Sequence, residues 1–409
     1  MKILHIAYSL SESSSATRLA KEQAKRHEIF FLLGRLSNDD FVRSRQIHPH
    51  LSCIFGVTFH IAHKFYGWLY GLNRHEVFTI DFWVGFKKII FKALSCGNSF
   101  DLLHLHWGGL GFFPLEVLQA FGGNSIITAH DYQFFTGGCH IPMDCEEYEM
   151  GCINCPLVEG NKIKKIIRNR RKKIKEGIKF LNLSVIAPSN YTKNKISSVF
   201  PAHRISVIPS TYGEYWGVHQ DLMLNQSVVD RLEKGPVLLT VGLKREPRDN
   251  KGFEFVRSMI LGLKQNNINF QYISIGAFDN QLMLENHLHY DCLDERKLSH
   301  QYRKADLCIV GSKFETFSQV TLESVVYGTP VIAFNIGGPA EIIENKVTGF
   351  LIEPFEGDKF FQLLQKKLTY KNTLKVNSGG GAERAKEKYS PSNIGEAVDM
   401  HYLKFSKEI

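Results

Sequence analysis

Short apolar runs recur along the chain, each separated from the next by an amphipathic stretch, and this recurrence restricts the fold more than any other feature. KILHIAY (2–8), HEIFFLLG (27–34), DLLHLHW (101–107), NSIITAHD (124–131), LSVIAPS (183–189) and ISVIPS (205–210) form a first series. Strands apolar on both faces belong to parallel sheets covered by helices, so the series predicts one doubly wound α/β domain over 1–211. The aromatic-rich region from Leu51 to Leu94 reads as two helices within it. An irregular polar stretch, TYGEYWGVHQDLMLNQ (211–226), has neither period and reads as a connection between domains.

A second series then begins: PVLLTVG (236–242), FQYISIGA (270–277), LCIVGS (307–312), PVIAFN (330–335) and TGFLIEP (348–354). Helical patterns run over Phe253–Gln265, Lys297–Ala305 and Phe317–Tyr327. A second doubly wound domain over 212–389 is expected, with a helical tail over 390–409 that crosses back to the first domain. Ligands of such sheets bind beyond the carboxyl ends of the strands, which directs attention to the loops that leave them.

No stretch reaches the roughly 18 uncharged apolar residues of a membrane-spanning helix. The N-terminal MKILHIAYSL lacks a small-residue cleavage site and suits a first buried strand, so cytoplasmic residence is expected. The formal charge of +9 is local: Lys162 to Lys179 holds ten Lys or Arg against Glu176 alone, and the rest of the chain is balanced. Ile163, Ile166, Ile167, Ile174 and Ile178 form one helical stripe there, interrupted at Arg170. Docking of 162–179 on an anionic inner-membrane surface is expected, against the simpler reading of a solvated helix face. Nucleic acid is not an expected partner, because no aromatic stacking residues are interleaved with the cations.

The loops concentrate chemistry between Gly311 and Glu341, GSKFETFSQVTLESVVYGTPVIAFNIGGPAE. Glu315 lies after a strand, Ser318 can cap a helix that carries Glu323, Gly328-Thr329-Pro330 ends that helix, and Gly337-Gly338-Pro339 opens another. Carboxylates accept hydrogen bonds from sugar hydroxyls, while helix starts and glycine amides hold phosphate. Each glutamate alone would also fit a solvated position. In the first domain, His130 and Asp131 stand at a strand exit.

The series VGSKFETFSQVTLESVVYGTPVIAFNIGGPAEIIENKVTGFLIEP resembles the donor-site signature of retaining family 4 glycosyltransferases, including those of colanic-acid, capsule and O-antigen biosynthesis. The resemblance implies the GT-B fold, two Rossmann-like domains facing across a cleft. It implies transfer of a sugar from a UDP- or GDP-sugar to a growing, lipid-linked bacterial surface polysaccharide, with retention. By that resemblance Glu315 contacts the transferred sugar, Glu323 the ribose, and the amides of Ser318, Gln319, Val320 and Thr321 lie near the diphosphate. His130 would lie near the transferred sugar. The family's Lys–Gly pair fits Lys251-Gly252, but its Arg partner falls at Glu246, leaving Arg245 and Arg248 as candidates for the cation that grips the diphosphate. No catalytic metal is expected, since Arg and Lys stabilise the departing diphosphate. Relatives commonly carry glycines in the first loop, where this chain has Ser13, Ser14 and Ser15.

Cys139, Cys145, Cys152 and Cys155, with a Cys-x2-Cys end, fit a structural zinc loop over 139–155, with free thiols or disulfides as alternatives. Two other functional readings stay open. A nucleotide-sugar epimerase or sugar phosphorylase would share the fold, and a zinc-stabilised nucleic-acid-binding protein would use the cysteine loop and the basic helix but leave the glutamates without purpose. The donor sugar, base, acceptor and linkage depend on side chains that vary while a fold does not.

Overall fold

The computed structural model describes residues 1–11, 14–69, 79, 81, 84–95, 99–109, 112–120, 124–180, 182–214, 235–243, 249–276, 286–370 and 380–407. The chain divides into two units, Met1–Thr211 with Pro391–Ile409, and Tyr212–Ser390.

The first unit is built on β1 (Lys2–Ala7), β2 (Glu28–Leu33), β3 (Leu102–Trp107), β4 (Asn124–Thr128), β5 (Leu183–Ala187) and β6 (Ile205–Val207). All pair in parallel in the order β2-β1-β3-β4-β5-β6. The order reverses between β1 and β3, which is where an open parallel sheet leaves a crevice at its carboxyl edge. Helices Ser15–Gln23 and Pro391–Lys407 cover one face, packing Leu19, Ala20, Ile394, Val398 and Tyr402 against β1 and β2. The Ser14 side chain caps the first of these helices, accepting from Thr17 N at 3.1 Å. The chain tail therefore contains two helices, Gly381–Lys388 and Pro391–Lys407, because Pro391 opens the second.

The aromatic-rich region yields helices Pro49–Leu69 and Val84–Ser95. The first of them is inverted relative to an ordinary amphipathic helix. Ser52, Gly56, Phe59, His63 and Gly67 face inward, whereas Leu51, Ile54, Val57, Ile61, Phe65 and Trp68 are exposed along the opposite stripe. Close approach explains the glycine: a Cβ on Gly56 would stand 2.0 Å from the Gly34 carbonyl oxygen.

The basic run forms helix Asn161–Phe180. Its isoleucine stripe is not broken at Arg170. That guanidinium is itself buried, pairing with Asp81 Oδ2 at 2.6 Å and donating to the carbonyls of Gln133 and Thr136. Arg171 is buried too, donating to the Tyr148 carbonyl at 3.0 Å. The run is thus a helix that spends two of its cations on the interior, while Lys162, Lys165, Arg168, Lys172, Lys173 and Lys175 remain exposed.

The second unit holds β7 (Val237–Leu243), β8 (Gln271–Gly276), β9 (His287–Tyr290), β10 (Leu307–Val310), β11 (Val331–Phe334) and β12 (Gly349–Ile352), parallel in the order β12-β11-β10-β7-β8-β9. Sequence reading missed β9. Its residues HLHY are half-buried at the sheet edge and show no apolar run. Helices Phe253–Gln265 and Gly357–Thr369 bury Val256, Ile260, Leu263, Phe360 and Leu364 on one face, and helices Glu295–Lys304 and Gln319–Val326 bury Tyr302, Leu322 and Val326 on the other.

Candidate functional site

In the second unit, the loops leaving β7, β10 and β11 meet at the carboxyl edge of the sheet. Gly252, at φ 70°, starts helix Phe253–Gln265, and a Cβ there would stand 2.0 Å from the Gly311 carbonyl oxygen. Only glycine fits both the left-handed backbone and the contact. Lys313 ties the same two loops together, its ammonium 2.9 Å from Asp249 Oδ2 and its amide donating to the Asn250 carbonyl at 2.8 Å. Gly337 and Gly338 do for the β11 loop what Gly252 does for β7. A Cβ on Gly338 would fall 1.5 Å from the Phe317 carbonyl oxygen, and one on Gly337 would fall 2.1 Å from that of Glu315. The Gly-Gly pair therefore lets helix Gly337–Ile342 lie directly against the segment that carries Glu315.

Glu315 is buried, 8 % exposed, and its Oε1 accepts from Lys251 Nζ at 2.7 Å and from Ser312 Oγ at 2.9 Å. Both bonds fall on one oxygen. Among the described residues Oε2 takes no hydrogen bond, so the carboxylate is fixed by one oxygen while the other can accept from a ligand. Lys251 is about two-fifths exposed at its side chain.

Ser318 is the N-cap of helix Gln319–Val326, with its hydroxyl 2.9 Å from Thr321 Oγ1 and accepting from Thr321 N at 3.4 Å. Its φ of 80° is a strained setting for a residue with a side chain, and such settings persist where surrounding packing imposes them. Gln319 and Val320 are half-buried in the first turn, and Thr321 is fully buried. Glu323 is buried, 7 % exposed, which removes the reading of an ordinary surface residue. Gly328, at φ 86°, closes the helix as expected of the Gly-Thr-Pro break, with Thr329 N donating to Ser324 O at 2.8 Å. Arg245 and Arg248 lie outside the described residues, as does most of the connection 211–226 and Ser13 of the first loop.

In the first unit, His130 sits just past β4 and is half-buried. Its Nε2 lies 3.2 Å from His106 Nδ1, and burial pushes its pKa down to about 4 against the opposing pull of Asp131. Asp131 is held by its neighbours: Oδ2 pairs with His140 Nδ1 at 2.8 Å, and Oδ1 accepts from Gln133 N at 2.9 Å. Sequence reasoning passed over His106 and His140. The spacing of His104 and His106, two apart in a strand and so on one face, is the signal that could have found the first.

Cys139, Cys145, Cys152 and Cys155 all line one small cavity of about 20 Å³ with Tyr148, Leu157 and Ile167. A tetrathiolate zinc with Zn–S near 2.3 Å requires sulfurs about 3.8 Å apart. No three of these sulfurs gather within 4.8 Å; among the described residues the donor atoms that do belong to His5, His104 and His106. Cys139 Sγ donates to the Ile141 carbonyl at 3.0 Å, Cys152 Sγ accepts from Gly137 N at 3.2 Å, and burial pushes the Cys152 thiol up to about 11. The four residues do not fit a zinc site as arranged, and among the described residues no disulfide joins any of them. The loop is held by burial of Cys139, Tyr148, Cys152, Cys155 and Val158 against Ile163 and Ile167.

Residues 235–369 match the family model described as glycosyl transferases group 1. A 41.2 kDa protein in the cps region of Klebsiella pneumoniae is 22% identical over 284 residues, 68% of this chain and 71% of that protein. Sucrose synthase 1 of Oryza sativa subsp. japonica is 39% identical over 84 residues, which are 19% of this chain and only 10% of that protein. Among solved structures, Anabaena Alr3699/HepE in complex with UDP-glucose superposes with a TM-score of 0.62 at 14% identity, over 99% of this chain and 100% of that one.

Proposed function

We propose that this GT-B chain, a group 1 glycosyltransferase through residues 235–369, transfers a sugar from a UDP- or GDP-sugar to a growing, lipid-linked bacterial surface polysaccharide with retention at the anomeric carbon. The observation that carries the proposal is the meeting of Lys251 and Glu315 beside the Gly337-Gly338 helix start. A cation, an anchored carboxylate with one oxygen unengaged, and backbone amides at two helix starts are the groups a nucleoside diphosphate sugar demands. Glu315 Oε2 would take a hydroxyl of the transferred sugar, Glu323 the ribose hydroxyls, and the amides of 318–321 an oxygen of the diphosphate. Lys251, with Arg245 or Arg248, would hold the departing diphosphate. His130 would lie near the transferred sugar. In this reading no step passes through a metal, because fixed cations neutralise the leaving group.

The relative from a cps region and the neighbour solved with UDP-glucose support polysaccharide assembly and a nucleotide-sugar donor. The exposed apolar stripe on helix Pro49–Leu69 supports a peripheral position on the cytoplasmic face of a membrane, where a lipid-linked acceptor would be presented. Among the described residues no helix is long and apolar enough to cross one.

The anomeric configuration of the product decides the mechanism. With UDP- and GDP-sugars offered in turn, NMR of the product should show the donor's own anomeric configuration, and an inverted product would sink the retaining reading.

A further inference from the structure

His5 sits in the middle of β1 opposite His104 of β3, and His106 follows two residues on, so all three share one face of the first sheet. Their grouping is explained by hydrogen bonds without an ion. His104 uses both nitrogens, Nδ1 with Tyr402 OH at 2.5 Å and Nε2 with Thr128 Oγ1 at 2.7 Å. His106 uses both as well, Nε2 with His5 Nδ1 at 2.8 Å and Nδ1 with His130 Nε2 at 3.2 Å. Three imidazoles therefore stand in file, His5–His106–His130, leading from the core to the strand exit.

The inner end of the file fixes its direction. His5 is fully buried, its ring stacks on that of His106 and packs near Phe31, and among the described residues its Nε2 has no partner. Among buried backbone groups an orphaned N–H is rarer than an under-used acceptor, and we carry the same preference over to the ring nitrogens. Nε2 is therefore the bare nitrogen, and the proton of His5 is on Nδ1, where it donates to His106 Nε2. His106 must then carry its own proton on Nδ1 and donate it to His130 Nε2.

We infer that the file is polarised outward and holds His130 as the neutral Nδ1–H tautomer, with His5 and His106 as its positioning residues. The positioning claim rests on the reading that His130 serves the transferred sugar; the tautomer does not. Neutral rings are what a single file requires, since each then has one donor and one acceptor. Burial pushes His5 down to about 3 and His106 well below its ordinary value, so neither is charged near neutrality. With Nε2 occupied, His130 offers its neighbours a donor at Nδ1 and does not act as a base through Nε2.

Nitrogen-15 NMR of the full-length protein with labelled histidine, at pH 7.5, reads the tautomer directly, with His130→Gln used for assignment. His130 should show a protonated Nδ1 and an unprotonated Nε2; the opposite tautomer overturns the inference without any functional variant. Positioning is tested by His106→Asn, whose amide can donate from near the place of Nδ1, against His106→Phe, which cannot. Phe should lower kcat by roughly tenfold to a hundredfold with donor KM unchanged, as small misplacements do. Asn should recover most of that loss, and equal activity of the two variants overturns positioning. Full activity in His130→Ala would instead remove the role of His130 in transfer, while leaving the measured tautomer to stand or fall separately.

Discussion

Lys251 and Glu315, 64 residues apart, meet at 2.7 Å, and that contact decides what each can do. A glutamate with one oxygen tied to an ammonium and a hydroxyl is a fixed acceptor, pre-set for a ligand rather than reorganised by it. Changing Glu315→Gln leaves the shape but removes the charge, and transfer should fall on the order of 10²-fold, the magnitude of losing one preorganised polar contact. Stability should change by less than about 1 kcal/mol, because the Lys251 side chain is partly exposed and Gln keeps a carbonyl oxygen as acceptor. Activity with saturating donor and a thermal melt check both; an active variant, or one that unfolds, would refute this account. The residue types were legible in the sequence, as a carboxylate after a strand and, through the family resemblance, a Lys-Gly pair after the first strand of the second domain. Their pairing was not, because contact between two strand exits depends on the sheet order β10-β7, which no local pattern encodes. The Gly337-Gly338 pair suggested a helix start; its closeness to the Phe317 carbonyl could only come from the fold.

At the scale of elements, two helices of the first unit show where pattern reading runs out. Cations read as a membrane-docking surface, with a solvated face as the alternative, are partly structural in helix Asn161–Phe180, since Arg170 pairs with Asp81 and Arg171 donates to the Tyr148 carbonyl. Helix Pro49–Leu69 is the opposite case. Its composition read as a helix, but a sequence cannot say which side of an aromatic helix is the core when its inward face is built of Ser52, Gly56, His63 and Gly67. Glycine packing brings that face close to β2 and turns the apolar one out. The neighbouring helix Val84–Ser95 adds exposed Phe86 and Ile89, and its Lys87 ammonium lies 4.6 Å from the Phe59 ring centroid. Lys87 itself is buried, but exposed Lys64 and Lys92 accompany the apolar rows on these two helices, a combination that suits an anionic lipid interface, each buried large side chain contributing roughly 1.5–3 kcal/mol and each lysine about 1 kcal/mol. Ile61→Ser with Trp68→Ser should therefore reduce binding to phosphatidylglycerol-containing vesicles by more than about tenfold at any salt concentration. Lys172, Lys173 and Lys175 changed to Gln should reduce it only at low salt. Sedimentation with vesicles separates the two terms, and undiminished binding by the Ile61 and Trp68 variant would end the membrane reading of this helix.

For the molecule as a whole, the distribution of buried and half-buried histidines makes the two units unequal in acid. His5, His63 and His130 are pushed down to about 3, 4 and 4, and His104 and His106 lie well below the ordinary value, each chiefly because burial disfavours the charged ring. All five belong to the first unit, while the second has His287 at about 4 and the more modest lowering of His300. The sign follows from proton binding. Above pH 6.5 these rings are neutral both folded and unfolded, and they impose no pH dependence. Below it the unfolded chain takes up protons that the folded one refuses, so stability falls with pH until each folded pKa is reached. Each ring can withdraw about 1.4 kcal/mol per pH unit across that window. Five rings acting in one unit against a net stability of about 5–15 kcal/mol should make the first unit open first as pH falls from about 6.5 toward 4. Hydrogen exchange at pH 7.5 and pH 5, resolved by peptide and corrected for intrinsic rates, should show protection lost earlier in β1, β3 and β4 than in β7, β10 and β11. Loss in the reverse order, or equal protection at both pH values, would mean that the buried histidines of the first sheet are hydrated or charged in solution.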